Sequence, residues 1–164
     1  MGSATRRLIG TCFGVGRLPL APGTWASALT VAVFFWIYGQ GDSLFGAPLC
    51  TPEHGVALAC LGLICVLGVA VGRHAKDDYG EEDPPSFVLD EVVGQGIALL
   101  PLLPGYLEPT GVVVAFLAFR LADIFKFPPC GWLERRGGGL GIMADDVAAG
   151  GYGALAVFAL GVLR

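Results

Sequence analysis

Residues 119–146 read FRLADIFKFPPCGWLERRGGGLGIMADD. This charged stretch lies between two apolar runs, 111–119 before it and 147–163 after it. Arg120, Asp123 and Lys126 recur every three residues, so successive members lie about 60° apart on a helix and form a stripe. Pro128-Pro129 stops that helix, because proline removes a backbone donor and restricts the residue before it. Glycines 137–139 and 141 then predict a pliable loop, and Asp145–Asp146 stand immediately before the last apolar run. An apolar helix, a charged connector and a second apolar helix is the pattern that decides the fold.

The same alternation runs through the chain. Apolar segments occupy 26–41, 55–72, 92–107, 111–127 and 147–163. The chain is 54% hydrophobic and 15% charged, with net charge −4 and mean hydropathy +0.69. Soluble domains carry about 25% charged residues, so lipid is the expected solvent. A helix of about 20 residues crosses a bilayer core of roughly 30 Å, and most of these runs are slightly short. The expected fold is all-α: a compact bundle of about five to seven helices, several membrane-embedded, in one domain over 1–164. Residues 1–25 read as a polar-to-apolar lead-in without a cleavable signal, with Thr24 capping the first apolar helix.

Orientation follows from charge. With the five spans above, one side collects Arg6, Arg7, Arg17, Arg73, Lys76, Lys126, Arg135 and Arg136, with Arg120 just inside it. The opposite loops, 42–54 and 108–110, hold no lysine or arginine, and only Arg164 ends there. The positive-inside rule makes the first side cytoplasmic. Asp77, Asp90, Glu91, Asp123, Asp145 and Asp146 fall on that side as well. The acidic net charge excludes a general nucleic-acid partner.

Asp90–Glu91 and Asp145–Asp146 each precede an apolar run. Each pair alone reads most simply as carboxylates at a helix N-terminus. Four acids converging on one face would repel one another unless a cation neutralised them. Mg²⁺ suits such a site, since it takes oxygen ligands and is often shared with a substrate phosphate. Asp77 is a further candidate ligand, while the surrounding acids Asp78, Glu81, Glu82 and Asp83 read as a solvated helix end. Arg120 offers a planar fork for phosphate oxygens and Lys126 a point charge; the rival reading of their stripe is an interfacial ion-pair ladder with a snorkelling lysine.

Covalent schemes fit poorly. The Cys130–Arg136 spacing matches a cysteine phosphatase, but the bulky intervening residues and Pro129 do not build a nest of amides. The five cysteines read as small apolar residues, and there are too few histidines for zinc. Neither a GxSxG elbow nor a Walker loop occurs. What is left is attack on phosphorus by a water that a bound cation activates. A cation carrier or a non-catalytic membrane scaffold could use the same acids; a carrier would spread them to the midplane or both faces.

Taken together, PGTW at 22–25, AKD at 75–77, DEVVG at 90–94, FRLADIFK at 119–126 and GIMADDVAAG at 141–150 resemble the phosphatidylglycerophosphatase A family of bacterial membrane enzymes. The likeness runs from about residue 13 to 163. One departure is Phe127 and Pro128 after the lysine, where the family usually has proline and then an aromatic residue. The resemblance implies Mg²⁺-dependent conversion of phosphatidylglycerophosphate to phosphatidylglycerol at the cytoplasmic face of the inner membrane. It carries over Asp90, Glu91, Arg120, Asp123, Lys126, Asp145 and Asp146, with Thr24 and Asp77 less directly. Chemistry assigns the roles within that set: Asp90, Glu91, Asp145 and Asp146, with Asp77, would hold the metal, Asp123 would serve as ligand or base, and Arg120 and Lys126, with Thr24, would bind phosphate. The resemblance leaves the oligomeric state open.

Overall fold

The computed structural model describes residues 1–38, 52–103 and 109–162. Eight α-helices follow one another in these residues, and no strand occurs among them. They are α1 (Ser3–Gly10), α2 (Pro22–Tyr38), α3 (Pro52–Gly72), α4 (Ala75–Tyr79), α5 (Leu89–Leu99), α6 (Pro109–Phe125), α7 (Cys130–Glu134) and α8 (Gly138–Val162). Short 3₁₀ turns lie at Val15–Arg17 and Leu100–Leu102.

Helix α8 is the centre of the bundle, with α5, α6, α7 and α3 packed around it. The α5–α8 crossing is built from small residues. A Cβ placed on Gly94 would stand 2.6 Å from the carbonyl oxygen of Asp146, and one on Gly150 would run into the Gly94 backbone. These two glycines let the helices touch backbone to backbone. That contact sets the first turn of α5 beside the third turn of α8, which is what brings Asp90–Glu91 to Asp145–Asp146. Phe119 of α6 is fully buried and closes over Gly94.

Two apolar cores hold this arrangement. One joins Phe34, Leu61, Leu99, Ala115, Phe119, Cys130 and Val157. The other joins Val71, Phe87, Leu89, Val93, Ile142 and Met143, near the end where α3 stops and α8 starts. The 80–88 connector is pinned there by buried Phe87 and by the Val88 N–H donating to the Gly10 carbonyl at 2.9 Å. At the same end Arg6 forks onto Asp78, with Nε 2.5 Å from Oδ2 and Nη2 2.7 Å from Oδ1, tying α1 to α4.

The outer faces remain apolar. Val33, Trp36, Leu63, Val66, Leu121, Ile124, Leu155 and Phe158 are all exposed. Helices α3 and α8 are long and apolar enough to cross a membrane by length and composition.

Several expectations change. The run at 92–107 yields an α5 of 11 residues, about 16 Å at 1.5 Å per residue, half of a bilayer core. It ends where Leu100–Leu102 tighten into a 3₁₀ turn around Pro101, and 104–107 lie outside the described residues. The lead-in contains a helix, α1. Thr24 is not a cap: α2 begins at Pro22, a residue suited to the first helical position, so Thr24 lies inside the first turn. The glycine-rich segment is not a loop beyond Gly137, because α8 starts at Gly138 and runs through Gly139 and Gly141, where a Cβ would collide with the backbones of Val69 and Glu134. Tight packing against α3 and α7 selects helix there, and Asp145–Asp146 sit well inside α8. Finally, α3 starts at Pro52, so His54 belongs to its first turn; the rest of the expected 42–54 loop, to Thr51, lies outside the described residues.

Candidate active site

At one end of the bundle the first turns of α2 and α5, the third turn of α8 and the last turns of α6 converge. Two groups of carboxylates form there. Asp90, Glu91 and Asp146 can each place an oxygen within 4.8 Å of the others, and so can Asp123, Asp145 and Asp146. Asp146 belongs to both. Asp90, Asp145 and Asp146 are buried, so their mutual repulsion is little relieved by water.

The two groups differ in their cations. Lys126 Nζ makes a short contact with Asp145 Oδ2 and lies 3.4 Å from Asp123 Oδ1 and 3.8 Å from Glu134 Oε1. Lys126 follows the end of α6 and takes a positive φ of 50°. A left-handed backbone is unusual for a lysine and costs roughly 1–3 kcal/mol. It turns the chain off the α6 axis at the residue that carries the ammonium. Arg120 Nη1 lies 2.9 Å from Asp123 Oδ2 and 4.0 Å from Glu91 Oε1. The predicted stripe is therefore a continuous Arg120–Asp123–Lys126 ladder that ends on Asp145. By contrast, the Asp90–Glu91–Asp146 group has Arg120 only at its edge. Asp146 Oδ2 and Glu91 Oε2 are buried and have no hydrogen-bond partner among the described residues.

Oxygen donors, excess negative charge and orphaned buried oxygens fit a hard divalent cation, so the residues present suit Mg²⁺. Lys126 is paired with Asp123 and Asp145, so the carboxylates without a lysine partner are Asp90, Glu91 and Asp146.

The structure brings seven predicted residues together: Asp90, Glu91, Arg120, Asp123, Lys126, Asp145 and Asp146. It leaves two out. Asp77 is exposed on α4 and joins neither carboxylate group; its neighbour Asp78 turns inward to Arg6 instead. Thr24 is exposed, and it is the preceding residue that faces the site: a Cβ on Gly23 would overlap the Glu91 carboxylate and stand 3.2 Å from Arg120 Nη1. Cys130 is wholly buried at the start of α7. The segment after it is helix rather than a phosphate cradle.

Sequence reasoning passed over Gly23, Glu134 and two buried polar side chains. Gln95 lies one turn beyond Glu91 and Ser27 one turn beyond Gly23. Both are fully buried, and neither Ser27 Oγ nor either Gln95 amide atom has a partner among the described residues. Gln95 carried a signal, being the one polar residue in the apolar stretch 92–103. Ser27 carried none, and Gly23 stood only within the PGTW motif, since packing alone places it against Glu91.

An all-α bundle that gathers five carboxylates and two cations at one end has the donor set of a site for a metal ion and a phosphate ester. The comparisons specify the family. The family model for Phosphatidylglycerophosphatase A matches residues 8–161, and the chain belongs to that family and is a phosphatase. A protein from Escherichia coli named Phosphatidylglycerophosphatase A is 34% identical over 150 residues, covering 87% of this chain and 76% of its own. A protein of the same name from Haemophilus influenzae is 34% identical over 155 residues, covering 93% and 86%. A Bacteroides thetaiotaomicron relative, provisionally named a phosphatidylinositol-3-phosphatase, is 35% identical over 145 residues, covering 88% and 86%. No solved structure matches the chain.

Proposed function

We propose that the protein hydrolyses phosphatidylglycerophosphate to phosphatidylglycerol and phosphate, with Mg²⁺ bound by Asp90, Glu91 and Asp146. The observation that carries this reading is the split of the acidic cluster into one group neutralised by Lys126 and one with buried, unpartnered oxygens. Bound there, Mg²⁺ would supply charge neutralisation and an acidified water. Arg120 and Lys126 bind the phosphate oxygens, exchanging their contacts with Asp123 and Asp145 for contacts with substrate. Asp123, held between both cations, accepts the proton of the attacking water. The new bond joins the water oxygen to phosphorus, the bond to the glycerol oxygen breaks, and that oxygen takes up the proton. Gly23 keeps α2 close enough to shield Glu91 and Arg120 from bulk water, which strengthens their electrostatic work.

The membrane reading belongs to the same proposal. Exposed apolar side chains recur along α2, α3, α6 and α8, and contiguous apolar faces of this kind mark contact with lipid or partners. The end bearing the site also carries Arg6, Arg7, Arg73, Lys76, Arg135 and Arg136, which supports a multi-pass protein of the bacterial inner membrane with this end cytoplasmic.

The test is phosphate release by the purified protein from phosphatidylglycerophosphate, a phosphatidylinositol phosphate and glycerol phosphate, with Mg²⁺ or with chelator. Metal-dependent release, fastest from phosphatidylglycerophosphate, is expected. Faster release from the inositol lipid would move the substrate toward the Bacteroides relative's name, and release from none would end the enzymatic reading of this site.

A further inference from the structure

Helix α2 is flanked by two apolar grooves. One, of about 220 Å³, lies between α2 and α3 and is lined by Leu29, Val33, Ile37, Cys60 and Ile64, with Val92 of α5 contributing as well. The other, of about 240 Å³, lies between α2 and α6 and is lined by Ala28, Val31, Val113, Phe116 and Leu117. Both reach the same turn of α2, residues 28–31. That turn is five to eight residues beyond Gly23, about 8–12 Å along the helix at 1.5 Å per residue. Gly23 faces Glu91 and Arg120, and Val92 directly follows Glu91 in sequence. Two apolar grooves thus meet one turn of α2 from opposite sides, a short headgroup's length along the helix from Gly23.

We propose that the diacyl substrate sits astride α2, with one acyl chain in each groove and its terminal phosphate at Arg120 and Lys126. This rests on the lipid-phosphatase reading above. The occupant is a two-chain lipid because there are two grooves, each almost free of polar atoms, and both lead from the same turn near the carboxylates. The gap between that turn and the site matches a phosphate held away from the acyl chains by further headgroup atoms. A phosphate attached directly to the diacylglycerol would sit too close to the chains. The seat therefore also selects among lipid phosphates.

Full-length protein in detergent micelles provides the test. Cys60→Trp and Val113→Trp fill the two grooves from their exposed sides, away from the carboxylates. Each is expected to lower kcat/KM for long-chain phosphatidylglycerophosphate about tenfold through KM, while kcat/KM for the dihexanoyl form stays at the wild-type value. Cys60→Phe and Val113→Phe replace them if a tryptophan variant loses dihexanoyl activity too. A phospholipid with a photoreactive group in its acyl chain should label α2 and the facing residues of α3 and α6, and each filled groove should lose its adducts. Unchanged long-chain preference in both variants overturns the proposal, as does labelling spread evenly to Val66 and Phe158 on the outer faces. An effect confined to one variant overturns the two-chain seat. A dimer that both variants abolish assigns the grooves to a second copy and overturns it as well. Labelling of both grooves in a protein that releases no phosphate supports the seat and overturns the reaction.

Discussion

The two carboxylate groups that share Asp146 use the same chemistry under different neighbours. Asp123 and Asp145 stand against Lys126, so their charge is met inside the protein. Glu91 has Arg120 at 4.0 Å and Asp90 accepts the Glu91 backbone N–H, while an oxygen of Glu91 and of Asp146 is without a partner among the described residues. Burying an uncompensated charge is far costlier than burying a paired one. Asp123 and Asp145 therefore have a cation inside the protein, whereas Asp146 and Glu91 keep buried oxygens without a partner among the described residues. A list of acidic residues would treat all five alike; their partners distinguish those paired with Lys126 from those that are not, and the proposed metal and phosphate roles rest on that difference.

Substitutions can break that division, beginning with the residue common to both groups. Asp146→Asn should lower phosphate release on the order of 10³-fold, with helicity by circular dichroism unchanged. Asp90→Asn and Asp145→Asn should each cost on the order of 10²-fold in turnover, but a Mn²⁺ titration should separate them. Asp90→Asn weakens metal binding, whereas Asp145→Asn leaves it near wild type; equal weakening by both would erase the distinction drawn here. Lys126→Met should raise KM about tenfold or more, and by emptying the second group it should allow a second Mn²⁺ to bind. If stoichiometry stays at one, Lys126 is not what closes that group.

Smaller effects sharpen the packing side. Gly94→Ala should destabilise by about 1–3 kcal/mol through overpacking at α5–α8, and it should lower activity by moving Asp90 away from Asp146. A variant as active and as stable as wild type would show that the crossing has slack. The smallest effect is expected at Arg6–Asp78, distant from the carboxylate groups. The Arg6 fork holds the Asp78 carboxyl below its ordinary value. Stability from this pair is thus fully present above the usual carboxylate range and is lost as pH falls through the lowered value. Melting curves of wild type and Asp78→Asn should differ at neutral pH and converge in acid.

Much of the site was legible in the chain. Charged residues in an apolar context are costly and stand out, so Asp90, Glu91, Arg120, Asp123, Lys126, Asp145 and Asp146 could be picked from a chain only 15% charged. Period-three spacing revealed the Arg120–Lys126 ladder. The all-α class followed from long apolar runs broken by proline and charge. Thr24 and Asp77 show the limit. Each stands one residue from a side that faces inward, Gly23 toward Glu91 and Asp78 toward Arg6, because a helix turns by 100° per residue and sequence does not reveal which side faces inward. The glycine segment at 137–141 was misread for a related reason, since glycine serves a loop and a tight helix contact equally well.

Sequence alone determined the inventory: which chemical groups the protein has, that they border apolar runs, and that those runs form helices. Tertiary structure decided the pairing. Gly94 and Gly150 bring the backbones of α5 and α8 into contact, uniting acids more than 50 residues apart, and the turn at Lys126 places one ammonium on one group only. Such assignments depend on distances between segments remote in sequence, where no local propensity acts and only packing can choose.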